Sequence, residues 1–156
     1  MASVRRAAGQ GEGRARWDAM TVSLASRLPR CAVSDWTHLH PQDLDACYRV
    51  RIDYTPQDRA YQRELVGCVS ILVPYYMVYS SQGEPGAGNG PPRIEFAFTP
   101  EEQPVLDVLT GEIEAAFGYA RLSPEIGGIV VPDVVSGNEV MGTNTLFDCL
   151  FTDNIW

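Results

Sequence analysis

The residues with metal-binding chemistry to offer are few. His38 and His40 alternate in a segment flanked by Asp35, Asp43 and Asp45. Alternating histidines on a strand project to one side and could chelate a cation, with a carboxylate completing the set. They are the only histidines in the chain and precede Pro41. The expectation is therefore an exposed loop, with His38 and His40 kept as candidate ligands and no cofactor expected. Cys31, Cys47, Cys68 and Cys149 contain no CxxC pair, which removes zinc-knuckle and thioredoxin-type chemistry and reads as small core residues in a reducing compartment. A nucleophilic Cys149 would need His38 or His40 as its base, and nothing in the spacing brings them together. GxSxG, HExxH and phosphate-loop patterns are absent.

Carboxylates are the abundant resource. Residues 95–156 carry eleven acids and a single base, Arg121, whereas residues 1–94 carry nine acids and eleven arginines. The chain has no lysine, a bias of the kind a high-GC genome produces, and its net charge is -8. An acidic chain cannot neutralise phosphates, so nucleic acid is not an expected partner. Tyr75, Tyr76 and Tyr79 could stack bases, but the basic residues of an RNA-binding sheet are missing around them.

Among these acids, Glu101 and Glu102 suit the first turn of a helix and are explained by capping and the helix dipole. Asp107, Glu112 and Glu114 lie on that same helix with no Lys or Arg four residues on. They are expected to face solvent or a cationic partner. Near the end of the chain, Phe151 and Trp156 with Asp148 and Asp153 have the composition of an apolar anchor ringed by acids. A last strand docking its Trp into the core is the structural alternative. Asp107, Glu112, Glu114, Asp148, Phe151, Asp153 and Trp156 are the candidate partner-binding residues.

The elements that must position them follow from periodicity. Residues 47–54 alternate, with Tyr48, Val50, Ile52 and Tyr54 on one face and Arg49, Arg51 and Asp53 on the other, which predicts a half-buried strand. Thr55, Pro56 and Asp58 form a helix-start pattern, and Tyr61, Leu65, Cys68, Val69 and Leu72 recur at helical spacing, so a helix is predicted up to Pro74. Residues 75–80 predict an aromatic strand, and residues 83–92, rich in Gly and Pro, a flexible connection. Residues 93–98 alternate again before the Thr99-Pro100-Glu101-Glu102 capping box, which opens a helix ended by Gly118, with Pro104 marking an irregular first turn or the effective start. Residues 129–135 predict a strand that Pro132 confines to an edge or a bulge, and residues 145–151 a final strand.

The passages at residues 51–58 and 95–102 each run from an alternating strand through Thr-Pro into an acidic first turn. The order β-α-β-β-α-β that results resembles the ferredoxin-like arrangement. An α+β fold is expected: an antiparallel sheet with two helices on one face, plus a C-terminal strand or hairpin. Residues 1–16, with four arginines and one acid, read as a disordered tail, or as an over-extended start with Met20 as initiator. Residues 17–156 are expected to form one domain, in which residues 17–46 settle into no single period. With 156 residues, 45% of them hydrophobic, the chain can bury a core. No apolar run is long enough for a secretory signal or a membrane span, so the expected setting is the cytoplasm.

Two functions fit this reading. One is a small acidic, non-catalytic module that binds a basic protein, as an immunity or antitoxin-type protein would. The other is a small-molecule or metal-dependent enzyme built on an open sheet face.

Overall fold

In the computed structural model, residues 11–37, 46–54, 62–83, 93–134 and 142–151 are described. Among them an α+β fold is formed by α1 (Glu12–Arg27), β1 (Ala32–Asp35), β2 (Cys47–Asp53), β3 (Gln62–Ser70), β4 (Tyr75–Gly83), β5 (Arg93–Glu95), α2 (Gln103–Phe117), β6 (Ala120–Arg121), α3 (Pro124–Gly127) and α4 (Leu146–Phe151). Strands β1 to β5 pair in sequence order, each antiparallel to the next, and β6 adds to β4 in parallel.

Strand β2 follows the alternation of its sequence: Tyr48, Val50 and Ile52 are buried on one face and Arg49 and Arg51 stand on the other. Strand β3 corrects the expected helix over residues 55–72, since residues 62–70 pair with both β2 and β4. Its residues from Glu64 to Ser70 are all buried. A strand covered on both faces carries no period-two signature, so Leu65, Cys68 and Val69 imitate helical spacing. Gly67, which would weaken a helix, has a purpose in the strand: a Cβ there would lie 3.2 Å from Leu109 and Val50. The Thr55-Pro56 helix start lies outside the described residues.

The helices whose side chains share a core cluster with β2, β3 and β4 are α1 and α2, and α1 precedes the sheet instead of crossing over between β2 and the next strand. Trp17, Met20 and Leu24 recur at three and four residues and are buried, while Val22 on the same helix is 72% exposed. That exposed valine blurs the apolar pattern and hides the period. Trp17 stacks on Tyr48 with ring centroids 5.3 Å apart, so a chain begun at Met20 would lack a core residue. The expected tail is corrected at its end, where residues 12–16 open α1; residues 1–10 lie outside the described set. Helix α2 contributes Leu106, Leu109 and Ile113 to the same core and stops at Gly118, whose φ of 67° is left-handed. The sheet is therefore a meander flanked by an N-terminal helix and α2, and the β-α-β crossover of a ferredoxin-like order is not formed at β3.

The opposite face holds a second cluster of Cys47, Val66, Cys68, Met77, Tyr79, Leu122, Phe147 and Phe151. The expected last strand at residues 145–151 is the helix α4. Thr145 and Asp148 make the reason visible: the Asp148 carboxylate accepts the Thr145 backbone N–H at 2.7 Å and its hydroxyl at 2.6 Å, closing a helix start. Phe147 and Phe151, four apart, then descend onto the sheet together. The strand expected at residues 129–135 reduces to one antiparallel bridge, Val130 to Thr145, before the turn at Pro132.

Candidate interaction surface

The expected partner-binding residues fall on two sides of the sheet. On the helix side, the acids of α2 have found internal partners that helix spacing alone could not reveal. Glu112 accepts a 2.5 Å bond from Arg27 of α1, and this hydrogen bond holds its carboxyl below the usual range. Glu114 accepts the Tyr76 hydroxyl at 2.5 Å; burial, then this bond, push the tyrosine pKa well up, so it stays a donor. Asp107 is exposed, and among the described residues its carboxylate accepts from the Gln103 side chain of its own helix at 2.6 Å. The acids do lack a basic partner within their own helix, but the expectation that all three face solvent or a binding partner is corrected for Glu112 and Glu114, which are met by Arg27 of α1 and Tyr76 of β4.

Among the described residues Glu102 is the most buried acid, 1% exposed. It receives the Tyr54 hydroxyl, the Ser80 hydroxyl at 2.8 Å and the Thr99 backbone N–H at 2.6 Å. Burial alone would raise its pKa, but the hydrogen bonds from Tyr54, Thr99 and Ser80 outweigh it and hold the carboxyl ionised below its ordinary value. The expected capping role is corrected: the helix begins at Gln103, Glu102 is its N-cap residue without a side-chain capping bond, and its carboxylate instead reaches back to Thr99 and clamps the end of β2, β4 and the entry to α2 together.

On the other side, Asp148 caps α4 and Phe151 is fully buried, so Phe151 is a core residue and not an exposed anchor. Its carbonyl accepts from Arg49 at 3.0 Å and from the Cys47 thiol at 2.9 Å. Asp153, Trp156, His38 and His40 lie outside the described residues.

Next to α4 the structure exposes residues that the sequence reading assigned to an edge strand. Ser123 caps α3 by accepting the Ile126 N–H, and Pro124 fills its first turn. Gly127 then lies so close to the sheet that a Cβ would stand 2.6 Å from the Met77 methyl. With the backbone seated there, the branched side chains around it point outward: Ile126, Ile129, Val130 and Val134 are 47%, 53%, 51% and 37% exposed. The segment is tied to the start of α4, where Leu146 N–H donates to Ile129 at 2.9 Å and Val131 N–H to Asn144 at 2.7 Å. The buried Asn144 also donates from its side chain to the Val134 carbonyl at 2.7 Å. The result is a strip of exposed aliphatics bordered in sequence by Glu125 and Asp133, with Asp148 on the adjoining helix. Among the described residues none of these three acids forms an ion pair. The available signals were Ser123-Pro124, Gly127-Gly128 and Pro132, which argue for an irregular surface segment against a regular strand.

At the far end of the same sheet face, beyond α4, a shallow groove of about 160 Å³ runs across the strands past Trp36, Arg51, Glu64 and Ser81. The described residues contain no cluster of three or more His, Cys, Asp or Glu able to hold a metal. No described helix is long and apolar enough to cross a membrane. Compared with known protein families, curated proteins and solved structures, the chain matches none.

Proposed function

We propose that the chain is a small, non-catalytic, cytoplasmic protein-binding module of the immunity or antitoxin type, which covers a basic surface on its partner. The observation that carries the reading is the strip from Ile126 to Val134, where four aliphatic side chains stand in solvent beside acids that no arginine of the described residues neutralises. Exposed apolar clusters rimmed by charge mark protein interaction sites more often than they mark ordinary surface. Glu125, Asp133 and Asp148 would steer a cationic partner, and Ile126, Ile129, Val130 and Val134 would lose water on contact. Asp153 and Trp156, which follow α4 in sequence, remain in the proposed contact set. Asp107 and Glu114 sit across the sheet and contribute to the long-range field only.

The test is calorimetric titration against the basic proteins encoded by adjacent genes, at 50 and 500 mM salt. Binding is expected to weaken steeply with salt and to be lost in Ile129→Asp, with Asp107→Asn close to wild type. Binding indifferent both to salt and to Ile129→Asp, or no binding to any of those proteins, overturns the proposal.

A further inference from the structure

We infer that the groove between α1 and α2, on the solvent side of the helix pair, docks a second copy of this chain and forms a weak two-fold dimer. The first observation is a signal missing from α1: residues 19–26 carry no charge. A helix that covers a sheet ordinarily turns charged side chains to the water. With about 3.6 residues per turn, Ala15, Ala19, Val22 and Ser26 fall opposite the buried Trp17, Leu24 and Leu28, and all four are exposed. Val22, at 72%, is the most exposed large apolar side chain of the described residues. On α2, Gly111 and Ala115 take the corresponding outward positions, and a Cβ added at Gly111 would meet nothing within 4 Å.

Shape admits another helix. The groove, of about 310 Å³, is walled by Ala19, Met20 and Ser23 of α1 and by Ala115 and Ala116 of α2. Side chains this short let a further helix axis approach to about 8 Å, the close end of helix packing. Helices of 16 and 15 residues are each roughly 23 Å long and lie about 10 Å apart, so the face offers roughly 500 Å² per copy. A standard interface takes about 800 Å² from each side, which sets the expected dissociation constant at about 10–100 µM.

Charge selects the occupant and its direction. Arg16, near the start of α1, is paired with Glu12 one turn earlier, and Glu112 meets Arg27, the last residue of α1, at 2.5 Å. Arg16 and Glu112 both border the groove, which therefore has a base towards one end and an acid towards the other. A copy turned about a two-fold axis near Ala19 brings each Arg16 beside Glu112 of the other copy. The row Glu12, Arg16, Glu112, Arg27 then alternates in sign across the contact, and the symmetry repeats it. A copy docked in the same direction would bring the two Arg16 side chains together and is disfavoured. The same axis seats each Val22 between Ala15 and Ala19 of the other copy, as residues four apart form the hole for a knob.

The test is sedimentation equilibrium of the full chain from about 5 µM to 1 mM at 0.15 M salt, where a monomer–dimer equilibrium is expected. Ala19→Glu, at an exposed helical position, should weaken association about tenfold or more. Arg16→Glu sets acid against acid across the axis, and Glu112→Arg sets base against base. Each of these variants alone should associate about tenfold more weakly or worse, whereas an equimolar mixture of the two should pair at close to the wild-type level. That recovery follows from two-fold docking, and a loss of folding cannot produce it. Ile129→Asp on the aliphatic strip should leave the equilibrium unchanged, which separates this surface from the one proposed to cover a basic partner. A chain that stays monomeric up to 1 mM, a dimer indifferent to Ala19→Glu, a mixture of the two folded charge variants that fails to pair, or a dimer lost in Ile129→Asp overturns the inference.

Discussion

The two faces of the sheet differ in how far their acids are tied to neighbouring elements. On the face covered by α1 and α2, acids are drawn into bonds between elements: Glu112 to Arg27, Glu114 to Tyr76, and Glu102 to Tyr54, Ser80 and Thr99. On the other face Glu64 is likewise tied to Arg51 of the neighbouring strand, but Glu125 and Asp133 border exposed aliphatics without a cation of the described residues. An acid's place in the sequence therefore says little about its availability. Whether a neighbouring element supplies a donor decides whether the charge is structural or open to a partner.

The sharpest way to break this contrast is to cut the helix-covered core. Trp17→Ala removes the ring stacked on Tyr48 and is expected to destabilise the fold by about 3–5 kcal/mol in denaturant titration. The similarly apolar Ile129→Ser, on the open strip, should change stability by no more than about 0.5 kcal/mol. Comparable losses at the two sites would remove the distinction between covered core and available surface.

Next in size is the Glu102 clamp. Glu102→Ala leaves three donors without their acceptor and should cost about 3 kcal/mol. Because the folded carboxyl titrates below its ordinary value, its contribution is fully present above the unfolded value of about 4.3 and is lost as pH falls through the lower, folded one. A stability profile between pH 2 and pH 6 should thus decline less steeply in Glu102→Gln than in wild type.

Smaller effects test the seats of the two surfaces. Gly127→Ala pushes a methyl toward the flexible end of Met77, which can yield, so about 1 kcal/mol is expected, with amide shifts concentrated in residues 124–134. Smallest of all, Glu112→Gln breaks a bridge whose arginine is half exposed, and should cost under about 1 kcal/mol and less in 0.5 M salt. A large, salt-independent loss there would mean that the inter-helix pair is not the surface bridge its exposure indicates.

Elements with a regular alternation, an aromatic strand composition or a clear helix stop were legible. The alternation of residues 47–53, the aromatic run that became β4 and the Thr99 to Gly118 helix frame all correspond to observed elements, with β5 shorter than the alternation at residues 93–98 suggested. Two elements whose apolar spacing suits either a helix or a strand were misread. Strand β3 is buried on both faces and lost its period, and α4 is six residues long, so its apolar run reads equally as a strand until Asp148 is seen to cap it. The site was legible in sign more than in place: acidity of the second half was plain, but Phe151 proved to be core and the exposed Ile129, Val130 and Val134 were assigned to a strand.

By itself the sequence determined the class of fold, the acidic balance of the chain, and the starts and stops of elements whose capping residues act within four positions. Only the tertiary structure decided which carboxylates are satisfied, which sheet face is covered by which helix, and where apolar side chains remain in water. Capping and alternation are local and written in adjacent residues. Arg27 reaching Glu112, or Tyr76 reaching Glu114, joins groups 85 and 38 positions apart, and such pairings exist only once the sheet and helices have packed.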